Sequence, residues 1–266
     1  MVDSGHANRI IRVTMIRPLL ALACALLLNA PGFALVGGAS TGGEGARHAV
    51  LLTGGRGNFC SGAVLARDLV LTAAHCVPPN FDYKLIEYDA LRQPTLRDVA
   101  HVVRHPQFDR EAARAHRVTA DLALIKLAEP LPAAYAPVAI AARPTIAIGD
   151  KFVVTGYGVA TRGDGRSGGI ARSATLVATG QPGSLQLRLV DPATKGERPG
   201  MGACTGDSGA PVFDTKGGRL AVIGVVSWST GPGNSEGCGG LTGVTPIGRY
   251  RDWIVETAGK MGSPLP

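Results

Sequence analysis

CTGDSGAP, running from Cys204 to Pro211, sets an aspartate directly before a serine and places glycines on both sides of the pair. Glycine neighbours let the backbone turn sharply and leave N–H groups free, which suits a serine that must be presented to a substrate. Serine is a weak nucleophile at neutral pH, so Ser208 needs a base within reach and an acid that holds the base in the right tautomer. Asp207 is not suited to be that acid. A carboxylate fixed beside the attacking hydroxyl would oppose the anion that forms there, so it has to point away and be paired elsewhere.

Two other islands of the chain supply the missing groups. LTAAHC, Leu71 to Cys76, places His75 at the end of an apolar strand-like run, and DLALIKL, Asp121 to Leu127, places Asp121 before an alternating strand that would bury it. Each island alone is a weak signal, because a lone histidine is more often structural and an aspartate at a strand start is usually a turn or cap residue. Their order carries more. His, Asp, Ser is neither the Ser, Asp, His of the α/β-hydrolases nor the Asp, His, Ser of subtilisin, and G-x-S-x-G fails because Ala210 stands where its last glycine belongs. The rival bases in the chain are His101, His105 and His116.

Around these islands the chain reads as all-β. Hydrophobic residues make 45% and charged residues 18% of the 266, which excludes disorder, and 37 glycines with 18 prolines imply many tight turns. Short β-branched or alternating runs fill residues 35 to 127. The stretch from 128 to 148, rich in Pro and Ala, reads as a connecting strap, and strand-like runs resume after it. Two β halves are expected, about 35–140 and 149–249, followed by a packing helix over 250–258.

Residues 1–34 read as a secretory signal: Arg17, then the apolar run Leu19 to Leu28, then small residues at Gly32 and Ala34. The run is short for a membrane span, no second one follows, and Met15 is an alternative start. Cys24 leaves with this segment. What remains carries 24 basic and 19 acidic residues, a mild +5 without a Lys/Arg block, and nucleic-acid binding is not expected. The cluster Arg110, Arg114, His116, Arg117 reads as a solvated loop face. Four cysteines remain, Cys60, Cys76, Cys204 and Cys238; an even count in an exported chain predicts two disulfides, in any of three connectivities. The absence of a C-x-x-C pair argues against zinc, and Glu87 with Asp89 reads as a hydrated turn rather than a calcium loop. No cofactor or metal is expected.

Taken together, LVGG at Leu35, LTAAHC, DLALIKL, TGYG at Thr155, GDSGAP and SWS at Ser227 resemble the trypsin/chymotrypsin-like serine proteases over essentially the whole mature chain, 35–258. The resemblance implies two packed six-stranded antiparallel β-barrels with a C-terminal α-helix and the site in the crevice between the barrels. It implies that Ser208 attacks the scissile carbonyl, that His75 is general base and then acid, that Asp121 orients His75, and that the Gly206 and Ser208 amides form the oxyanion hole. Ser227 matches the serine that supports Asp121 and begins the strand, through Trp228 and Ser229, on which substrate pairs. It further implies Cys60–Cys76 and Cys204–Cys238 bridges, in the pared-down set of a bacterial-type exported enzyme. Gly202 falls at the floor of the specificity pocket and Gly243 at its wall. The lack of charge at Gly202 argues for an apolar P1 residue, aromatic or large, with small aliphatic side chains as the rival because Ser229 narrows the mouth.

For Asp207 the resemblance implies a partner in the α-ammonium of a chain that begins at Leu35. Ala34 is also the expected signal-peptidase site, so export and activation would be one cut. The expected protein is a secreted endopeptidase, extracellular or periplasmic, whose partners are polypeptide substrates and protein inhibitors. A catalytically silent binding module and a secreted esterase are the alternatives.

Overall fold

The structure, a computed structural model, describes residues 1, 35–37, 39–54, 57–89, 91–142, 145–180 and 185–266. The expected signal segment lies outside the described residues.

Six strands close the first barrel: β2 (Ala49–Gly54), β3 (Phe59–Ala66), β4 (Leu69–Thr72), β5 (Tyr83–Tyr88), β6 (Pro94–Arg104) and β7 (Ala123–Leu127), in the order β2-β3-β4-β7-β6-β5 with β5 returning to β2. The strands with the most apolar sequences are the most enclosed. All four residues of LVLT in β4 are buried, and β7 exposes only part of Lys126, whereas the mixed sequence of β6 leaves it largely in solvent. Val50, Leu52, Val64, Val70, Leu85 and Ile125 meet in the barrel's interior.

The second barrel is formed by β9 (Lys151–Gly156), β10 (Arg172–Thr179), β11 (Leu187–Val190), β12 (Pro211–Asp214), β13 (Ala221–Ser229) and β14 (Thr242–Pro246). The ring β10-β11-β14-β13-β12-β9 is closed by the pairing of β9 with β10. Two-residue strands add to its rim: β1 (Ser40–Thr41) on β10, and β8 (Ala139–Ile140) parallel to β13. The strands of the first barrel begin at Ala49, and the described residues from Leu35 to Thr41 lie against the second barrel. Val36 bridges Gly202 and Ser40 pairs with Ser173, because the buried Leu35 and Ala39 join the second core with Phe152 and Leu176. The strap's Ala139 and Ile140 likewise pair into the second sheet.

A third apolar cluster, with Leu69, Leu71, Leu122, Phe213 and Val225, joins the two barrels, and Ile254 and Ala258 of the terminal helix pack onto it. That helix, α2, spans Arg251–Lys260, one residue later at its start and two later at its end than the apolar spacing indicates; a short α1 (Arg110–Arg114) precedes β7. Among the described residues no helix is long and apolar enough to cross a membrane.

Candidate active site

The register of two strands brings His75 and Asp121 together. β4 pairs with β7 so that Thr72 lies opposite Ala123, which puts the 3-10 turn Ala74–Cys76 beside the residue that enters β7. Asp121 is wholly buried, and its two oxygens are used in full. Oδ1 accepts the His75 backbone N–H at 2.9 Å, and Oδ2 lies 2.7 Å from His75 Nδ1. Ser227 Oγ donates to the same Oδ2 at 2.5 Å. Ser227 reaches it because the β13–β14 register slips between Val226 and Trp228, leaving Ser227 as the unpaired residue of a bulge that aims its side chain at the first barrel.

Burial would strip both groups of charge, yet the pairing outweighs it. His75 is pushed down by desolvation and up by the charge and hydrogen bond of Asp121, and the net direction is above the ordinary histidine value. Asp121 is raised by burial but held below the ordinary carboxylate value by the His75 charge, the His75 and Ser227 side-chain bonds and the His75 amide. A carboxylate fixed on Nδ1 leaves Nε2 as the free acid–base nitrogen.

Ser208 comes from the loop before β12. Its carbonyl accepts the Ser61 N–H at 2.7 Å, Gly209 N–H donates to Val226 O at 2.7 Å, and Ser61 Oγ donates to Gly206 O at 2.9 Å. Ser61, which the sequence did not single out, thus ties the serine loop to the first barrel. Gly206 holds φ at +95°, a conformation that favours glycine, and its neighbour at Gly158 would be 2.9 Å from any Cβ there. Among the described residues neither the Gly206 nor the Ser208 N–H makes a hydrogen bond within the protein, so both donors are open.

Ser208, His75 and Gly206 line one cleft of ≈ 510 Å³ with the Cys60–Cys76 bridge. His75 Nε2 lies 3.9 Å from Cys76 Sγ, and no hydrogen bond joins it to Ser208 Oγ. Such contacts tighten when substrate fills the site. The second bridge, Cys204–Cys238, borders an adjoining cleft of ≈ 500 Å³ that Ser208 shares with Thr205 and Ser229. Cys60, His75 and Cys76 are the described residues whose ligand atoms cluster within 4.8 Å, but the bridge removes two of the three as metal donors.

Two of the expected pocket residues sit in tight surroundings. A Cβ on Gly243 would meet the Trp228 indole at 2.0 Å, so Gly243 seats that ring. A side chain near Gly202 is that of Thr242, which is fully buried, pairs across the ladder with Ser229, and accepts the Ala203 N–H on its Oγ1 at 3.0 Å. Gly202 itself bridges Val36, as part of the inner lining. His116 is exposed, as expected of a loop face, and its ring also stacks on Trp228 at 4.7 Å and 9°, so the indole is held between an imidazole and a glycine. His105 lies against Tyr250 and Trp253 and does not line the clefts that Ser208 lines. His101 stands on β6, paired with Lys126.

Asp207 is fully enclosed behind the serine. Its Oδ1 accepts Gly158 N–H and its Oδ2 accepts Cys204 N–H, both at 2.9 Å. Leu35 is buried as well, but in the continuous chain its nitrogen is a peptide amide, so the expected ammonium pair needs a chain cut before it.

A sequence model of the family described as Trypsin matches residues 35–254. The chain is 30% identical over 232 residues to the vitamin K-dependent protein C of Oryctolagus cuniculus, covering 77% of this chain and 48% of that protein. It is 29% identical over 248 residues to the vitamin K-dependent protein C of Mus musculus, covering 84% and 51%. The chain spans about half the length of these curated relatives.

Proposed function

The chain belongs to the trypsin family of serine proteases, and from that membership we propose that it is a working serine endopeptidase that cuts polypeptides through His75, Asp121 and Ser208. The observation that carries this reading is the array Ser227, Asp121, His75, which ends on a cleft that also holds Ser208 and two unused amides.

In the proposed mechanism His75 Nε2 takes the Ser208 proton as Oγ attacks the scissile carbonyl, and the resulting imidazolium is stabilised by Asp121 without proton transfer to it. The oxyanion is received by the Gly206 and Ser208 N–H groups, worth about 3 kcal/mol for each such donor. His75 then protonates the leaving amine, and water repeats the sequence to release the acyl group from Ser208. For P1 we infer a small apolar side chain, because the Thr242 side chain occupies the space beside uncharged Gly202.

Two disulfides in a trypsin-like chain fit a secreted or extracellular protein. A binding module without turnover is the second reading, favoured by the unmade Ser208–His75 hydrogen bond. A fluorophosphonate probe separates the two: labelling at Ser208 that Ser208→Ala abolishes supports the enzyme, and a folded but unlabelled wild type refutes it.

A further inference from the structure

Ser208 lines two clefts of similar size, ≈ 510 and ≈ 500 Å³, whose walls differ in chemistry. The cleft beside Ser229 carries His116, Arg162 and Glu236 among hydroxyl side chains. The other has no lysine, arginine, aspartate or glutamate on its walls among the described residues. Phe59, Tyr88 and Tyr157 line it instead, together with the bare backbone of Gly168 and Gly169. Phe59 is 48% and Tyr88 37% exposed, so both offer ring surface to a ligand. On the reading above, the cleft beside Ser229 takes the acyl part of the substrate, and the aromatic cleft therefore receives the leaving peptide.

Tyr88 is held there from several sides. It ends β5 and pairs with Pro94 of β6 at the neck of a hairpin. Asp89 fixes the turn beyond it: Oδ1 accepts the Leu91 and Gln93 N–H groups, each at 2.8 Å, and the Asp89 N–H donates to Gln93 O at 3.1 Å. On the other side, Glu87 pairs with Arg97 at 2.7 Å. The Arg92 guanidinium lies over the Tyr88 ring, 4.5 Å from its centroid, and its Nη1 donates to Gly169 O at 3.3 Å. A Cβ on Gly169 would stand 3.4 Å from Tyr88 Cε2, so this ring of the first barrel lies against the loop that leads into β10 of the second. Glycine at 168 and 169 keeps that loop free of side chains and leaves the room beside the ring to a ligand.

We propose that Tyr88 is a specificity-determining residue for the leaving group. It selects a bulky apolar side chain within the first two residues after the scissile bond, and Arg92 is a positioning residue that holds its ring. The proposal rests on the serine-protease reading above. An apolar side chain in this cleft leaves water for Phe59 and Tyr88, whereas a charged one is desolvated with no counter-charge on the described walls.

The test reads the leaving-group side alone. A peptide ester acylates Ser208, and the acyl-enzyme is offered water together with the α-amides of phenylalanine, aspartic acid or glycine, each with and without a preceding glycine. The amine nitrogen forms an amide bond as the Ser208 ester breaks, and the amine proton returns to Oγ through His75. Aminolysis and hydrolysis products come from one acyl-enzyme, so their ratio, measured by chromatography, is independent of how fast it forms. In the wild type at least one phenylalanine nucleophile should partition at least tenfold better than its glycine counterpart, and neither aspartate nucleophile should. Tyr88→Phe should keep that preference, Tyr88→Ala should cut it at least fivefold, and Tyr88→Lys should turn it toward aspartate. Arg92→Gln should lower it by less than Tyr88→Ala does, and Arg92→Lys, which keeps a cation over the ring, should restore it. Thermal melting verifies that each variant is folded. The proposal is overturned if the wild type takes glycine and phenylalanine nucleophiles alike, or if Tyr88→Ala and Tyr88→Lys keep the wild-type ratios. An Arg92→Gln variant that matches the wild type removes Arg92 from the assignment. If a fluorophosphonate does not label Ser208 of the wild type, the catalytic reading itself fails and the proposal falls with it.

Discussion

Ser229 and Thr242 face each other across β13 and β14, and the Thr242 hydroxyl, wholly buried, accepts the amide of Ala203 next to Gly202. On the proposed P1 reading these two hydroxyl-bearing side chains close the space beside the uncharged Gly202. Thr242→Ala should therefore widen the substrate range: kcat/KM for Leu or Phe at P1 should rise about tenfold relative to Ala, the scale on which pocket methyl groups discriminate. The variant should also melt earlier, because the Ala203 amide loses its acceptor at a cost of about 1–3 kcal/mol. Matched peptide substrates and a melting curve check both. An unchanged P1 profile would remove Thr242 from the pocket.

In the proposed mechanism the His75–Asp121 pair should set the acid limb of activity. His75 acts as base only when neutral, and Asp121 raises its pKa, so kcat/KM should fall on acidification through a pH above the ordinary histidine value of about 6.5. Asp121→Asn should shift that limb to lower pH while cutting kcat about 10⁴-fold, since an amide neither stabilises imidazolium nor selects the tautomer. Ser227→Ala removes a single donor from Oδ2, leaves more of the carboxylate charge to His75, and should move the limb slightly the other way, to higher pH. A pH–rate profile for the three proteins decides the order.

The parts of the site that were legible in the sequence are those where one residue does one local job. Ser208 among glycines, His75 at the end of an enclosed strand and Asp121 before another could be read because strand patterning fixes where such residues sit. Thr242 and Ser61 were not legible, because their roles depend on pairing register: Thr242 faces Ser229 only through the ladder of β13 and β14, and Ser61 meets Gly206 across 145 residues of chain. The packing of Trp228 on Gly243 was not legible for the same reason, since it depends on the ladder of β13 and β14 and the bulge at Ser227. Leu35, Val36 and Ala39–Thr41 come before the first barrel in sequence order, yet burial of Leu35 and Ala39 seats them against the second.

Removing the Cys204–Cys238 bridge by a double substitution to alanine should cost more than removing Cys60–Cys76. The two bridges close loops of 34 and 16 residues, and chain-entropy estimates give about 4 and about 3 kcal/mol. The functional effects should be distinct. Loss of Cys204–Cys238 loosens Gly237 and the cleft beside Ser229 and should raise KM, whereas loss of Cys60–Cys76 frees the turn that carries His75 and should lower kcat. Denaturant titration and steady-state kinetics on the two variants separate these outcomes, and equal effects on kcat and KM from both would contradict the assignment.

His105 gives the fold a pH dependence of its own. Its ring lies 4.9 Å from Tyr250 and 4.7 Å from Trp253, its Nδ1 accepts the Gln107 amide at 3.1 Å, and it thereby fixes the first barrel to the terminal helix. Burial, and then the Arg249 charge, lower its pKa below the ordinary histidine value. A histidine held neutral in the folded chain takes up more protons when unfolded, so its contribution is present above the unfolded value of about 6.5 and is lost as pH falls below it. His75 acts in the opposite sense: its raised pKa gives stability that is present below about 6.5 and disappears as pH rises through its folded value. The difference between wild type and His105→Phe isolates the first effect, because His75 is common to both. The variant should keep its aromatic packing, and its melting temperature should fall less steeply than that of wild type between about pH 6.5 and pH 5. Parallel melting curves over that range would mean that His105 is protonated in the folded state as readily as in the unfolded one.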